Sequence, residues 1–415
     1  MTPEIKQRIE QIRRGEVPEG YKKGKLGIVP EEWNETSFST LFTSTSDYTD
    51  DLGTYPLYSL TIEDGITPKT GRYERSHLVK KEDSYKIVRP NDYAYNPMNL
   101  RFGAVARHKG DMPVAVSGYY DIFTTIFESD LPFMDSFLTC GPMITYYNRV
   151  STGSLVEKQR VHFSQFLEFM FPLPSINERT KIAAILTTQD KVIELKEKRL
   201  AEKQRQKKYL MQQLLTGKKR LPRFNGAWKT DCLGKLFFER KETNCENIEM
   251  LAITGTQGII PRKELDLKDN SSEDKSKYLR VCVGDIGYNT MRMWQGVSAY
   301  SNYEGIVSPA YTILKPSSSI NAKYFAYLFK MSEIVFLFYR FSQGLVDDTR
   351  NLKYENFKKI KVCYPPDIKE QTAIAEVLSA ADREIDLLRQ DIEQEKQKKK
   401  ALMQLLLTGI VRVKT

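Results

Sequence analysis

Two stretches of this chain carry polar and basic side chains at a spacing suited to reading the edges of nucleic-acid bases. Tyr95-Asn96-Pro97-Met98-Asn99-Leu100-Arg101-Phe102-Gly103 aligns with Tyr288-Asn289-Thr290-Met291-Arg292-Met293-Trp294-Gln295-Gly296 at a shift of 193 residues, and the two differ at their tips. Arginine offers a donor pair that matches guanine, whereas asparagine or glutamine matches adenine. The expected base-reading groups are therefore Asn99 and Arg101 in the first stretch, and Arg292, Trp294 and Gln295 in the second. Arg107 and Lys109, which flank His108, extend the first set. The competing reading makes Tyr95, Met98, Tyr288 and Met291 core residues and the tips ordinary solvated turns. Phosphate contacts fix register without reading sequence. They are expected from Lys69 and Arg72, and from Arg262 and Lys263, which follow aligned Gly-x-x-Pro turns. Arg160, Arg350 and Lys353 follow the small-residue loops Ser151-Thr152-Gly153 and Ser342-Gln343-Gly344 and are candidates of the same kind. A solvated loop explains each of these equally well. Lys218-Lys219-Arg220 and Arg223 either contact phosphate or complement a helix dipole.

Catalytic patterns are missing. Asn96-Pro97-Met98 has a faint likeness to the Asn-Pro-Pro-aromatic motif of amino-methyltransferases, but its counterpart Asn289-Thr290-Met291 lacks the proline and a following aromatic. His77, His108 and His162 are isolated, and the five cysteines are scattered without a Cys-x-x-Cys pair, which argues against a zinc site and a disulfide framework. Asp347-Asp348 has no acidic pair at the equivalent position of the first half, and no P-loop is present. We expect no metal, no cofactor and no catalysis from this chain. A formal net charge of +10 favours a polyanionic partner or an anionic surface. Met1–Arg14 is charged throughout and no apolar run reaches membrane-spanning length, so a reducing cytoplasm and no membrane are expected.

The elements that must position these loops come from a duplication. Pro174–Gly217 returns at Pro366–Gly409, shifted by 192 residues without a gap, and Trp33 and Trp228 mark a fainter match upstream. Two copies exclude a solenoid. Each copy starts just after a proline and ends at Thr-Gly, where Gly217 or Gly409 suits a left-handed helix cap. Ile182, Leu186, Ile193, Leu200, Leu210 and Leu214 follow 3–4 spacing, as do Ile374, Leu378, Ile385, Leu388, Ile392, Leu402 and Leu406. Charged residues fill the middle of both patterns, which describes a coiled-coil seam with a polar waist. Equivalent helices packed about a pseudo-two-fold axis run antiparallel, and about 40 residues make a rod of roughly 60 Å. The alternative is two separate helices, each lying on its own globular unit.

The expected fold is α+β: two similar mixed α/β recognition domains separated by two long antiparallel coiled-coil helices, with a pseudo-two-fold internal repeat. The expected boundaries are an N-terminal helix over 1–17, a first domain over 18–175, a helix over 176–217, a second domain over 218–367 and a second helix over 368–415. Met211, Leu215, Met403 and Leu407 lie off the seam and either dock a partner or pack on their own domain. Ile5, Ile9 and Ile12 form one stripe expected beside Leu402–Gly409.

With these motifs in place, the chain resembles the specificity subunits of type I restriction–modification enzymes over essentially its full length. The resemblance rests on the paired Pro-x-Ile-x-Glu-(Arg/Gln)-Thr-x-Ile-Ala repeats closing in Leu-Met-Gln-x-Leu-Leu-Thr-Gly, and on the entry segments ending at Trp33 and Trp228. It implies that each domain reads one half of a split, asymmetric site on double-stranded DNA. It also implies that two methyltransferase subunits dock on the helices and that restriction/translocase subunits join for cleavage. Arg179, where the second copy has the commoner Gln371, is a departure expected to be minor.

Overall fold

A computed structural model of the chain describes residues 2–69, 85–155, 158–245, 248–255, 258–265, 274–346 and 349–413. It divides into two compact units, Met1–Lys196 with Asp391–Thr415, and Glu197–Gln390. Both are mixed α/β and both are built to one plan.

The first unit centres on a four-stranded antiparallel sheet in the order Val105–Arg107, Tyr93–Tyr95, Asp121–Thr125, Phe42–Thr45. The second repeats that order with Ser298–Tyr300, Ile286–Asn289, Tyr311–Pro316 and Phe237–Glu239. Each adds a hairpin, Tyr58–Thr61 with Gly65–Pro68 and Leu251–Thr254 with Gly258–Pro261. Two helices follow the sheet in each, Leu131–Phe137 and Gly141–Val150, then Ala322–Leu328 and Ser332–Phe341. Aromatic side chains fill both cores. Phe38, Phe42, Tyr95, Phe123 and Phe166 do so in the first, and Phe237, Tyr288, Phe325, Phe329 and Phe357 in the second.

The duplicated segments are helices of 39 and 40 residues, Ile176–Leu214 and Ile368–Leu407. Ser175 Oγ accepts from Glu178 N at 3.3 Å, and Asp367 Oδ1 from Lys369 N at 2.8 Å, so a short polar side chain caps each entry. Gly217 and Gly409 close them at φ +70° in both cases. A Cβ at Gly409 would lie 2.5 Å from Pro30 and 2.9 Å from Trp33, so space and backbone both require glycine there.

Within each unit the helices run antiparallel, as their polar partners record. In the first unit Gln189 Nε2 donates to Glu395 Oε2 at 2.6 Å, and Lys196 Nζ sits 2.8 Å from both Asp391 and Glu395. Lys399 pairs with Asp190 at 2.5 Å. In the second, Lys203 meets Glu384 at 2.8 Å and Lys207 pairs with Asp382. The polar waist is therefore a ladder of cross-helix ion pairs.

The apolar positions divide by place along the helix. Ile182, Leu186 and Leu406 belong to the first globular core, while Leu214, Ile374 and Leu378 belong to the second. Ile193, Ile385 and Ile392 are buried, and Leu200, Leu210, Leu388 and Leu402 are half-buried. The seam expected to be helix on helix is thus a three-way packing at its ends, because each long helix also covers a globular unit. Leu215 and Leu407 are each 2% exposed within those same cores, and Met211 and Met403 pack against them. Own-domain packing takes up the surface that was a candidate for a partner.

Arg179 is not a minor departure. It lies 3.2 Å from Asp130, and both residues are buried. At the equivalent place in the second unit, Gln371 Oε1 accepts from the backbone N of Asn321 at 2.7 Å. An ion pair between two side chains stands where the second unit has a side-chain-to-backbone hydrogen bond.

Candidate nucleic-acid interface

The two candidate loops share one backbone. Asn96 Oδ1 accepts from Met98 N at 3.0 Å, and Asn289 Oδ1 accepts from Met291 N at 3.0 Å, so each loop starts as a side-chain-closed turn. One 3-10 turn follows, Leu100–Phe102 or Met293–Gln295, and a left-handed glycine closes it, Gly103 at φ +94° or Gly296 at φ +80°. Tyr95 and Leu100, like Tyr288 and Met293, are fully buried and hold each loop to its core. Tyr95 and Tyr288 are therefore core residues, as the competing reading had them.

A second segment lies against each loop. Thr152 and Arg160 bridge in the first unit, and Val161 N donates to Pro97 O at 3.1 Å. Gln343 and Asn351 bridge in the second, and Leu352 N donates to Thr290 O at 2.9 Å. The structure thus gathers Asn99, Arg101 and Arg160 on one face of the first unit. It gathers Arg292, Trp294, Gln295 and Arg350 on the matching face of the second.

The chemistry of the faces differs. Arg101 Nη1 donates to Gln159 Oε1 at 3.0 Å, and its guanidinium lies 4.5 Å over the exposed Phe102 ring. The second face is aromatic. Trp294 Nε1 donates to Met291 O at 2.9 Å, its ring meets Tyr339 edge-on at 6.2 Å, and Arg350 Nη2 donates to the Tyr339 hydroxyl at 2.8 Å. Arg292 and Gln295 are exposed at the tip, as Asn99 is in the first unit. Phe336, Met291 and Leu345 add exposed apolar surface, a feature that sequence order hides because helix and loop meet only in the fold.

Arg107 is corrected. Its Nε and Nη2 donate to Asp135 at 2.9 and 2.8 Å, and Nη1 donates to Asn91 Oδ1 at 2.7 Å. Burial pushes the Asp135 carboxyl up, but Arg107, Lys109 and Tyr93 together hold it below its usual value. The guanidinium is committed inside the unit and acts as framework, while Lys109, 3.3 Å from Asp135, stays largely exposed. Lys69 is exposed beyond its hairpin; Arg262 is half-buried, and exposed Lys263 pairs with Glu249 at 2.5 Å. Lys353 is exposed at the start of Tyr354–Phe357. Arg72, His77, Asp347 and Asp348 lie outside the described residues.

Arg220 does not face phosphate. It makes a two-pronged contact with Glu370, at 2.6 and 2.8 Å, beside Trp228. Arg412 does the same to Glu178, at 2.7 and 2.8 Å, beside Trp33. Sequence reading missed this clasp. The signal was present, since Arg220 and Arg412 stand 192 residues apart, as do Glu178 and Glu370. In the first unit Tyr21 OH also donates to Gly409 O at 2.9 Å, and Arg8 from the N-terminal helix Pro3–Arg13 donates to Ile410 O at 3.2 Å. Among the described residues no group of acidic, His or Cys side chains forms a metal cluster, and no helix is long and apolar enough to cross a membrane.

Residues 232–397 match the family model of the type I restriction modification DNA specificity domain. A protein of Methanocaldococcus jannaschii, named as the specificity subunit of a type I restriction enzyme, MjaX, is 24% identical over 442 aligned positions, covering 96% of this chain and 98% of that one. The fold matches the S subunit of a type I restriction–modification system from M. genitalium with a TM-score of 0.52 at 13% identity, over 92% of this chain and 97% of that one. A chain of a type I R-M system, solved for its complex assembly and conformational transition, gives 0.53 at 13% identity, over 92% and 99%. The chain is thus similar to type I restriction–modification specificity subunits, in sequence over the matched regions and in fold over nearly its full length.

Proposed function

We propose that this chain supplies the address of a type I restriction–modification complex and none of its catalysis. Each unit reads one half of a bipartite, asymmetric site on double-stranded DNA in the cytoplasm. The observation that carries this reading is the pair of tip loops: one backbone, repeated in both units, presenting Asn99 and Arg101 in one and Arg292, Trp294 and Gln295 in the other. A fixed frame with exchanged donors is what two related but different half-sites require. Arg160, Arg350, Lys353, Lys69 and Lys263 serve as backbone contacts around those tips.

The long helices dock two methyltransferase subunits, and restriction subunits join through the complex. Support comes from exposed apolar side chains at duplicated positions. Leu195 and Leu387 are 64% and 65% exposed, and Ile176 and Ile368 are 56% and 41% exposed. Each pair is 192 residues apart, so the same apolar contact is offered twice. The purified complex should select one split motif from a random duplex library. Selection of a single contiguous motif, or of none, would defeat the bipartite reading. Leu195→Asp with Leu387→Asp should lower methyltransferase co-purification without altering the chain's melting curve; undiminished co-purification would move the docking surface elsewhere.

A further inference from the structure

A cavity of about 740 Å³ in the second unit lies between the paired strands Leu251–Thr254 and Gly258–Pro261, the helix Ala322–Leu328 and the adjoining parts of both long helices. Its charges do not cancel. Lys207 is taken up by Asp382, which also accepts from the Tyr327 hydroxyl at 2.6 Å, and Arg389 donates to Asp386 at 3.1 Å. Lys323, Lys330 and Arg383 line the same space without a carboxylate partner among the described residues. Lys330 exposes its stem but turns its ammonium inward, to Gly296 O at 2.8 Å and Ser298 O at 2.6 Å. Ser298 is 1% exposed, and its Oγ has no hydrogen-bond partner. A buried hydroxyl without a partner is rare in a native fold, and an oxygen of a bound ligand would satisfy it.

The first unit provides an internal comparison. Its cavity between hairpin and helix holds about 390 Å³ and is lined by Glu63, Asp64 and Asp135 against Arg107 and Lys109. Asp135 engages both of those cations. Thr139 stands where the second unit has Lys330. The surplus of positive charge belongs to the second cavity.

We propose that this second cavity is a phosphate-binding site, with Lys323, Lys330 and Arg383 as its cationic wall and the Ser298 hydroxyl as a neutral donor. The phosphate is either a diester of bound DNA or a free anion, and the two sources separate by experiment. The DNA arm rests on the function proposed above; the free-anion arm does not. Full-length chain is titrated with inorganic phosphate by calorimetry, and its affinity for a duplex is followed against salt. Lys323→Ala with Arg383→Ala, Ser298→Ala, and a control removing two exposed cations elsewhere in the unit, Lys277→Ala with Lys315→Ala, are run alongside.

If DNA is the source, the Lys323/Arg383 pair lowers the slope of log affinity against log salt by about one unit for any sequence. Ser298→Ala weakens binding alike for all sequences, and the control does neither. If a free anion is the source, inorganic phosphate binds the parent chain, binding falls at least tenfold in the Lys323/Arg383 variant, and the DNA slope is unchanged. Equal effects from the control pair, or no effect in either assay, would overturn the site. Failure to bind any duplex counts against the function proposed above, and the calorimetry then decides the cavity alone.

Discussion

Exchanging Asp130 and Arg179 for the residues at the same places in the second unit tests whether the two halves solve one packing problem in two ways. Asp130 is 2% exposed and Arg179 8%. Their 3.2 Å contact does not satisfy either carboxylate oxygen or the Arg179 Nε as a hydrogen bond. Burial pushes the Asp130 carboxyl above its usual value, and Arg179 pulls it back only in part. A carboxyl whose folded pKa is raised contributes stability that is complete only in acid and is lost as pH rises through the folded value. At neutral pH the charge is held at a cost. Arg179→Gln leaves a buried carboxylate alone, and Asp130→Asn leaves a buried guanidinium alone; each should cost about 3–5 kcal/mol. The double variant removes both buried charges and carries the residue types of the second unit, so it should fall within about 1 kcal/mol of the parent, or above it. The coupling between the two sites would then be about 5 kcal/mol or more, well beyond the ~0.5 kcal/mol expected of independent positions. A two-unit chain need not unfold in one step, so the assay is amide hydrogen exchange over residues 176–186 at pH 7, which reports local opening. Single variants costing under 1 kcal/mol, or simple additivity, would refute the reasoning.

Breaking the duplicated clasp by Arg412→Ala or Arg220→Ala should destabilise the first or second unit selectively. Each leaves a buried glutamate unpaired, but the arginines are 31% and 25% exposed, so the cost should be about 2–3 kcal/mol, read as faster exchange at the facing helix entry. Gly409→Ala should lower the melting temperature more than Gly217→Ala. Both force alanine to φ +70°, about 1–2 kcal/mol, but only the Gly409 Cβ falls within 3 Å of Pro30 and Trp33, against 3.3 Å to Trp228. Lys196, followed by Gln189, holds the Glu395 carboxyl down to about 2. A depressed folded pKa means stability present above the unfolded value and lost as pH falls towards 2, so Lys196→Met should flatten the acid limb of the unfolding curve. An unchanged acid limb would remove that ladder from the account.

The long helices were legible because their signals are local and written twice: prolines at the entries, Thr-Gly at the exits, apolar spacing between. The tip loops were legible as a frame, since Asn96 and Asn289 act on their own neighbours two residues on. Arg107 was misread because its carboxylate lies 28 residues away on a helix. The Arg412 clasp reaches 234 residues, a separation no local pattern reports. Arg179 was noticed as a departure, yet its meaning lay at Asp130, which only packing brings near. Sequence order fixes what short side chains do to adjacent backbone, while long cations find partners through the fold.

The central claim is that this chain carries the address. Its most direct test is to map modified bases across a genome in cells expressing the methyltransferase of its own system, with the chain, without it, and with Arg292→Ala. The account predicts modification at one split, asymmetric motif, lost without the chain and degraded in one half-site only by Arg292→Ala. Modification that persists unchanged when the chain is removed would contradict it.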